Sequence, residues 1–150
     1  MSRRATGNQC TPAEATLPVD LSDRPIYLVG IKGTGMAALT EILVARGARV
    51  GGSDVVERFY TDALLENLGI AFHEGFGAAN LTDAVPRPEL VIYSAAYDPQ
   101  THPELAAAAE LGIPMMQYTE ALGALARQQP SAGIAGVHGK TTTTAMIECI

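Results

Sequence analysis

Ile26-Tyr27-Leu28-Val29-Gly30-Ile31-Lys32-Gly33-Thr34-Gly35-Met36 holds an apolar run that stops at glycine, a glycine-rich turn, and the start of an apolar-striped segment. The run predicts a buried strand. From about Thr34 to Arg46, Met36, Leu39 and Leu43 recur on one helical face, and Gly47 follows where a helix ends on a left-handed residue. Strand, glycine turn and helix together form the first half of a βαβ unit.

Outward from this stretch the alternation continues. Arg49 to Gly52 predicts a second strand, Thr61 to Leu68 a helix closed by Gly69, and Ile70 to His73 a weak strand. Leu90 to Tyr93 predicts a stronger strand. Pro103 to Leu111 reads as an alanine-rich helix ended by Gly112, and Pro114 to Met116 as a short strand. Tyr118 to Arg127 is a further helix, and Gly133 to Ala135 opens a last strand. Strands separated by helices of this length imply an α/β fold, a Rossmann-like doubly wound parallel sheet of about five strands with helices on both faces. Residues 1 to about 23 mix Ser, Thr, Pro, Gly and isolated charges without periodicity and predict a flexible tail. The ordered domain is then 24–130, and 131–150 belongs to a second unit.

Composition narrows the function. A chain of 150 residues, 47% hydrophobic, suits one domain with a core of Ala, Leu, Ile and Val. The net charge of −6 argues against nucleic acid or an anionic membrane as partner, since phosphate backbones call for a basic face. A phosphorylated small molecule is still allowed, because a few backbone N–H groups can hold it. Cys10 and Cys149 define neither a metal site nor a disulfide framework. Arg3 and Arg4 precede no apolar stretch of the signal-peptide kind, and a cytoplasmic protein is expected.

In an open parallel sheet, ligands sit beyond the carboxyl ends of the strands. Three loops lie there: Gly30 to Gly35, Gly52 to Val55, and Ser94 to Asp98. The first predicts a diphosphate site, since glycines admit a close backbone approach and the following helix offers unpaired N–H groups. Lys32 stands where the strict dinucleotide pattern has glycine, so it either places a cation near an anionic ligand or points into water. Asp54, nineteen positions after Gly35, occupies the place from which a carboxylate accepts ribose hydroxyls, or with Ser53 it caps a turn.

The last twenty residues are more specific. Ile134-Ala135 leads into Gly136-Val137-His138-Gly139-Lys140-Thr141-Thr142, a glycine turn whose lysine and threonine open a helix. The usual ATP-binding loop has glycine where this chain has Ile134, so this is a shorter Gly-x-x-Gly-Lys-Thr form. In such a loop the amides cradle phosphate, Lys140 reaches the β/γ oxygens and Thr141 can ligate Mg²⁺.

These residues carry a resemblance. Gly136 to Met146 resembles the ATP loop of the Mur ligases. Val29 to Met36, Gly52-Ser53-Asp54, Tyr93-Ser94-Ala95-Ala96, Asn80-Leu81, His102-Pro103-Glu104 and Ile113-Pro114 are similar to residues of that family's N-terminal domain. The resemblance covers about residues 25 to 150. It implies an ATP-dependent carboxylate–amine ligase of peptidoglycan precursor synthesis, of the branch that joins L-alanine to UDP-N-acetylmuramate. It also implies a UDP-sugar site of Gly30, Lys32, Gly33, Thr34, Gly35, Met36, Ser53, Asp54, Ser94 and Ala95. The ATP site would comprise Gly136, His138, Gly139, Lys140, Thr141 and Thr142, with Lys140 and Thr141 catalytic and Thr141 on the metal. Central ATP-binding and C-terminal amino-acid domains would follow, so these 150 residues alone are expected to be inactive and the segment after about Gly136 frayed, displaced or held by a neighbouring chain. The chain departs from the family at Lys32, Phe76 and Val137, where glycine, histidine and threonine are usual. Two other readings stay open: a ligase that attaches a recycled tripeptide, and an NAD-binding oxidoreductase or sensor module.

Overall fold

The computed structural model describes residues 15–84, 86–130, 133, 134, 136–138, 140 and 144. Its core is a five-stranded, all-parallel sheet in the order β3-β2-β1-β4-β5. The strands are β1 (Pro25–Val29), β2 (Arg49–Asp54), β3 (Phe72–Glu74), β4 (Leu90–Tyr93) and β5 (Met115–Gln117). Between and after them run α1 (Thr34–Ala45), α2 (Asp62–Asn67), α3 (Ala79–Thr82), α4 (Pro103–Glu110) and α5 (Tyr118–Arg127). The expected α/β fold, doubly wound and Rossmann-like, is the observed one.

Residues alternate across the central strands because successive side chains point to opposite faces. Ile26, Leu28, Leu90, Ile92 and Met116 join Met36, Leu39 and Leu43 of α1, Leu65 of α2, and Ala121 and Leu125 of α5 in one core. Tyr27, Val29 and Val91 face the other way, against Leu81 of α3 and Leu105 and Ala108 of α4. The sheet is thus covered on both sides, and its order reverses between β1 and β4. There the loops after β1 and β4 diverge and leave a crevice at the carboxyl edge.

Three readings from the sequence change. Residues 15–23, expected to belong to a tail, pack on the domain: Leu17 and Leu21 are buried in the α1/α5 core. Backbone bonds from Asp23 to Gly47 and from Arg24 to Leu21 fix the segment. The two leucines, separated by a proline, carry no periodicity, so their burial is a purely tertiary effect. Helix α3 had no counterpart in the sequence reading, being a single turn. Gly133 and Ile134 lie in no strand, and Ala135 is outside the described residues. No helix of the described residues is long and apolar enough to cross a membrane.

Candidate functional site

Gly30 ends β1 with φ 86°, a backbone region that glycine enters at little cost. A side chain there would also meet the Tyr97 ring, at 2.8 Å from its Cβ. The chain then turns sharply, and the amides of the turn divide into two groups. Gly30 and Ile31 both donate to the Ser53 carbonyl, at 2.8 and 3.2 Å. Lys32 N–H donates to Asp54 Oδ2 at 2.7 Å, and Gly33 N–H to the Gly30 carbonyl at 3.2 Å. These four are occupied by the protein itself.

The next three are not. Intrahelical bonding into the start of α1 begins with Ala37 N–H, which reaches Gly33 O at 2.8 Å. Thr34, Gly35 and Met36 N–H have no acceptor among the described residues. Gly33 supplies no side-chain cap, and the first turn of α1 holds no carboxylate. In contrast, α4 and α5 carry Glu104 and Glu120 in their first turns. Three unpaired N–H groups at the positive end of a 12-residue helix could accept an anion. The part of the glycine loop with amides left for a ligand is therefore narrower than the sequence indicated: it is the α1 end of the turn.

This helix end borders a cleft of about 300 Å³ lined by Gly30, Lys32, Gly33, Thr34, Asp54, Val55, Phe59, Tyr60, Ser94, Ala96 and Tyr97. The structure thus brings six of the expected residues together. Ser53 and Ala95 do not line the cleft: the Ser53 hydroxyl donates to Glu104 Oε2 on the opposite side of the sheet, and Ala95 is exposed. Met36 places its side chain in the core, leaving only its amide for a ligand. Ser94 Oγ accepts from Ala96 N–H at 3.3 Å, which curls the β4–α4 loop over Gly30.

Lys32 is 2% exposed, so it does not point into water. Its ammonium donates to the carbonyls of Val55 and Glu57, both at 3.0 Å. Asp62 and Glu74 lie 3.6 and 3.7 Å away, and the Phe72 ring centroid at 5.2 Å. The Thr61 hydroxyl donates to the Lys32 carbonyl at 2.5 Å. The residue that breaks the glycine pattern is thus a buried anchor between the glycine turn and the segment after β2.

Asp54 has the turn-bracing role foreseen for it. Its carboxylate accepts from Lys32 N–H and from Val55 N–H, at 2.8 Å for the latter, which braces two loops. It also lines the cleft. Tyr97, which the sequence did not single out, has its hydroxyl pKa raised, first by burial and then by the negative charge of Asp54 and hydrogen bonding to it. The Tyr97 ring packs edge-on against Phe76 at 5.0 Å and tilted against His102 at 4.8 Å. Both imidazole nitrogens of His102 are buried without a hydrogen-bond partner among the described residues, and burial lowers its pKa, with Glu104 partly opposing. On the outer lip the Tyr60 hydroxyl meets Thr34 Oγ1 at 2.6 Å, with Tyr60 and Phe59 exposed. A side chain at Gly35 would collide with the Tyr118 hydroxyl, 2.8 Å from its Cβ.

Of the second glycine turn, Gly136, His138 and Lys140 are described and exposed; Gly139, Thr141 and Thr142 lie outside the described residues. The Lys140 ammonium folds back to the Gly136 carbonyl, and Val137 is 87% exposed. None of the three lines the cleft at Gly30. No group of three or more His, Cys, Asp or Glu that could hold a metal occurs among the described residues.

Fold and cleft together define an α/β domain of the doubly wound class with an open crevice at its topological switch point. Residues 25–130 match the sequence profile described as "Mur ligase family, catalytic domain", and the chain belongs to that family. Relatives bear this out. The UDP-N-acetylmuramate–L-alanine ligase of Treponema pallidum is 57% identical over 132 residues, 88% of this chain and 27% of the relative. Its counterpart from Desulfitobacterium hafniense is 49% identical over 81% of the chain and 26% of the relative. Among solved structures, the UDP-N-acetylmuramate–alanine ligase of Thermotoga maritima superposes with a TM-score of 0.70 at 32% identity, covering 83% of this chain and 28% of that one. The UDP-N-acetylmuramate:L-alanyl-γ-D-glutamyl-meso-diaminopimelate ligase from Neisseria meningitides gives 0.74 at 30% identity, covering 84% and 38%. The chain therefore spans about a quarter of the length of the curated relatives it matches.

Proposed function

We propose that this domain binds UDP-N-acetylmuramate and belongs to a cytoplasmic, ATP-dependent ligase that joins L-alanine to it. The observation that carries the reading is the row of unpaired Thr34, Gly35 and Met36 amides at a helix end whose first residue, Thr34, lines a cleft together with Asp54 and Ser94. The amides suit the diphosphate. Asp54, with lone pairs beyond the two used by the backbone, suits ribose or uracil donors. The names of the relatives support the muramate sugar and alanine as substrates.

In this reading residues 131–150 begin the central ATP-binding domain. The described part of that turn suits a phosphate loop in one respect: it brings the Lys140 ammonium back over a tight glycine turn. Gly136, His138 and Gly139 would surround the phosphates with Thr142, Lys140 would neutralise them, and Thr141 would ligate Mg²⁺. ATP supplies the phosphoryl group that turns the muramyl carboxylate, a poor electrophile, into an acyl phosphate. The amine of L-alanine then forms the amide bond and phosphate leaves. The task of the present domain is to hold the sugar still at its diphosphate, so that the carboxylate meets the nucleotide in the right geometry.

Titration calorimetry of this chain with UDP-N-acetylmuramate and, separately, with NADH tests the reading. Binding of the sugar nucleotide, lost on Gly35→Val, is expected. Binding of NADH alone would establish the oxidoreductase alternative. In the longer protein, phosphate release dependent on L-alanine rather than on a tripeptide decides between the two ligase branches.

A further inference from the structure

Behind the cleft, on the α3/α4 side of the sheet, lies a carboxylate that the binding reading does not use. Glu104 is the second residue of α4 and is 0% exposed. No basic group forms an ion pair with it among the described residues, and all its partners are neutral donors. Its Oε1 accepts from Asn80 Nδ2 at 2.6 Å, from Gly77 N–H at 3.3 Å and from Tyr27 Oη at 3.4 Å. Its Oε2 accepts from the Ser53 hydroxyl. The positive end of α4 adds to these dipoles.

The four donors come from β1, β2, the β3–α3 turn and α3, and the first two of these lead into loops that line the cleft. Ser53 ends β2, and its own carbonyl holds the Gly30 and Ile31 amides that shape the glycine turn. The next residue, Asp54, holds Lys32 and Val55 N–H. Gly77 and Asn80 bracket the turn after β3. Asn80 also donates to the Gly75 carbonyl at 3.1 Å, and the turn presents Phe76 to Tyr97 and His102. Glu104 itself opens the helix after the Ser94–His102 loop. A single side chain is thus fastened to the roots of the loops after β2, β3 and β4.

We propose that Glu104 is the positioning residue of the cleft: without touching the ligand, it fixes Ser53 and the β3–α3 turn. It thereby sets the placement of Asp54, Tyr97 and the free amides at α1. The part of this inference that concerns affinity rests on the UDP-sugar reading; the part that concerns geometry does not.

The experiment uses the 150-residue chain and the variants Glu104→Gln, Glu104→Ala and Ser53→Ala, with UDP-N-acetylmuramate as probe and backbone amide resonances as a second readout. In Glu104→Gln the new side chain keeps an acceptor for Asn80 and Gly77, and its amide can donate to a Ser53 hydroxyl that accepts instead. Affinity is therefore expected within about threefold of the parent for Glu104→Gln. It should fall about tenfold or more for Glu104→Ala, and by an intermediate factor for Ser53→Ala, measured where each variant is fully folded. The Gly30, Lys32 and Val55 amide resonances, none belonging to a residue bonded to Glu104, should shift in Ser53→Ala and Glu104→Ala and stay near their parent positions in Glu104→Gln. If Glu104→Ala does not fold, Ser53→Ala decides alone. A folded variant with parent-like amides and parent-like affinity, lower only in Tm, overturns the proposal. If the parent chain fails to bind UDP-N-acetylmuramate, the functional reading falls. The amide resonances still judge the positioning role: shifted they sustain it, unshifted they end it.

Discussion

The two walls of the cleft are held by buried charges of opposite sign, and the two are neutralised differently. Lys32, on the glycine turn, sits among two carboxylates, two carbonyls and an aromatic ring. Glu104, behind the opposite wall, has only hydroxyl, amide and backbone donors among the described residues. A buried cation with counter-charges depends on Coulomb attraction that repays desolvation only while each partner stays in place. A buried carboxylate ringed by four dipoles spreads its stabilisation, so losing one donor leaves three. The first wall should therefore break at a single residue, whereas the second should weaken by degrees.

The largest expected effect tests the brittle wall. Lys32→Met would leave Asp62, 5% exposed and with Oδ1 lacking a hydrogen-bond partner, as a buried carboxylate whose other ionic neighbour among the described residues is the exposed Arg58. A loss of about 3 kcal/mol in urea unfolding is expected, accompanied by release of the Val55–Glu57 segment. A loss below about 1 kcal/mol would mean that the cluster is no more than a surface ion pair.

On the graded wall, Asn80→Ala removes the nearest of the Oε1 donors of Glu104 and should cost about 2 kcal/mol. Tyr27→Phe removes the most distant donor and should cost about 0.5 kcal/mol. The same unfolding series measures both, and equal losses would contradict the distances on which the ranking rests.

The legibility of these parts differs for physical reasons. The β1 strand, the glycine turn and α1 are encoded by residues close in sequence, so periodicity and a C-terminal Gly47 define them, and α1 begins where expected, at Thr34. Glu104 looked like the second residue of a helix following Pro103, which it is; its partners lie 24 to 77 positions away, beyond any local pattern. For Lys32, sequence offered ligand or water, because the acceptors that bury it come from Val55, Glu57, Asp62 and Glu74, contributed by a loop and two later elements. Of the residues expected to form a UDP site, Gly30, Lys32, Gly33, Thr34, Asp54 and Ser94 share the cleft as the loop positions implied. Ser53 turned away from it because neighbouring strand residues point to opposite faces. Tyr97 and Tyr60 carried no motif and were found only through what they touch.

A third test concerns the aromatic cluster joining the two walls. Burial lowers the pKa of His102 in the folded state below its ordinary value of 6.5. The unfolded chain therefore binds a proton more readily than the folded one. Stability is full above pH 6.5 and falls as pH drops from there toward the folded pKa. Thermal unfolding between pH 7.5 and 5.5 should show a larger loss for the parent than for His102→Leu. Parallel losses would exclude His102 as the titrating group.

The smallest effect on stability is expected at the outer lip, where it bears most directly on function. The Thr34–Tyr60 hydroxyl pair is exposed, so Tyr60→Phe should change stability by no more than about 0.5 kcal/mol. Thr34, however, also provides one of the three free amides, and its hydroxyl would face an anion bound there. In the ligand-free molecule that hydroxyl is occupied by Tyr60. If a diphosphate must displace the contact, Tyr60→Phe should strengthen UDP-N-acetylmuramate binding about two- to fivefold, since one hydrogen bond no longer has to be exchanged. If Tyr60 instead keeps its hydroxyl on the ligand, the same variant weakens binding by a similar factor. Calorimetry at one temperature separates the two signs. An unchanged affinity would exclude Thr34 Oγ1 from the diphosphate site and leave the anion to the backbone amides of Thr34, Gly35 and Met36 alone.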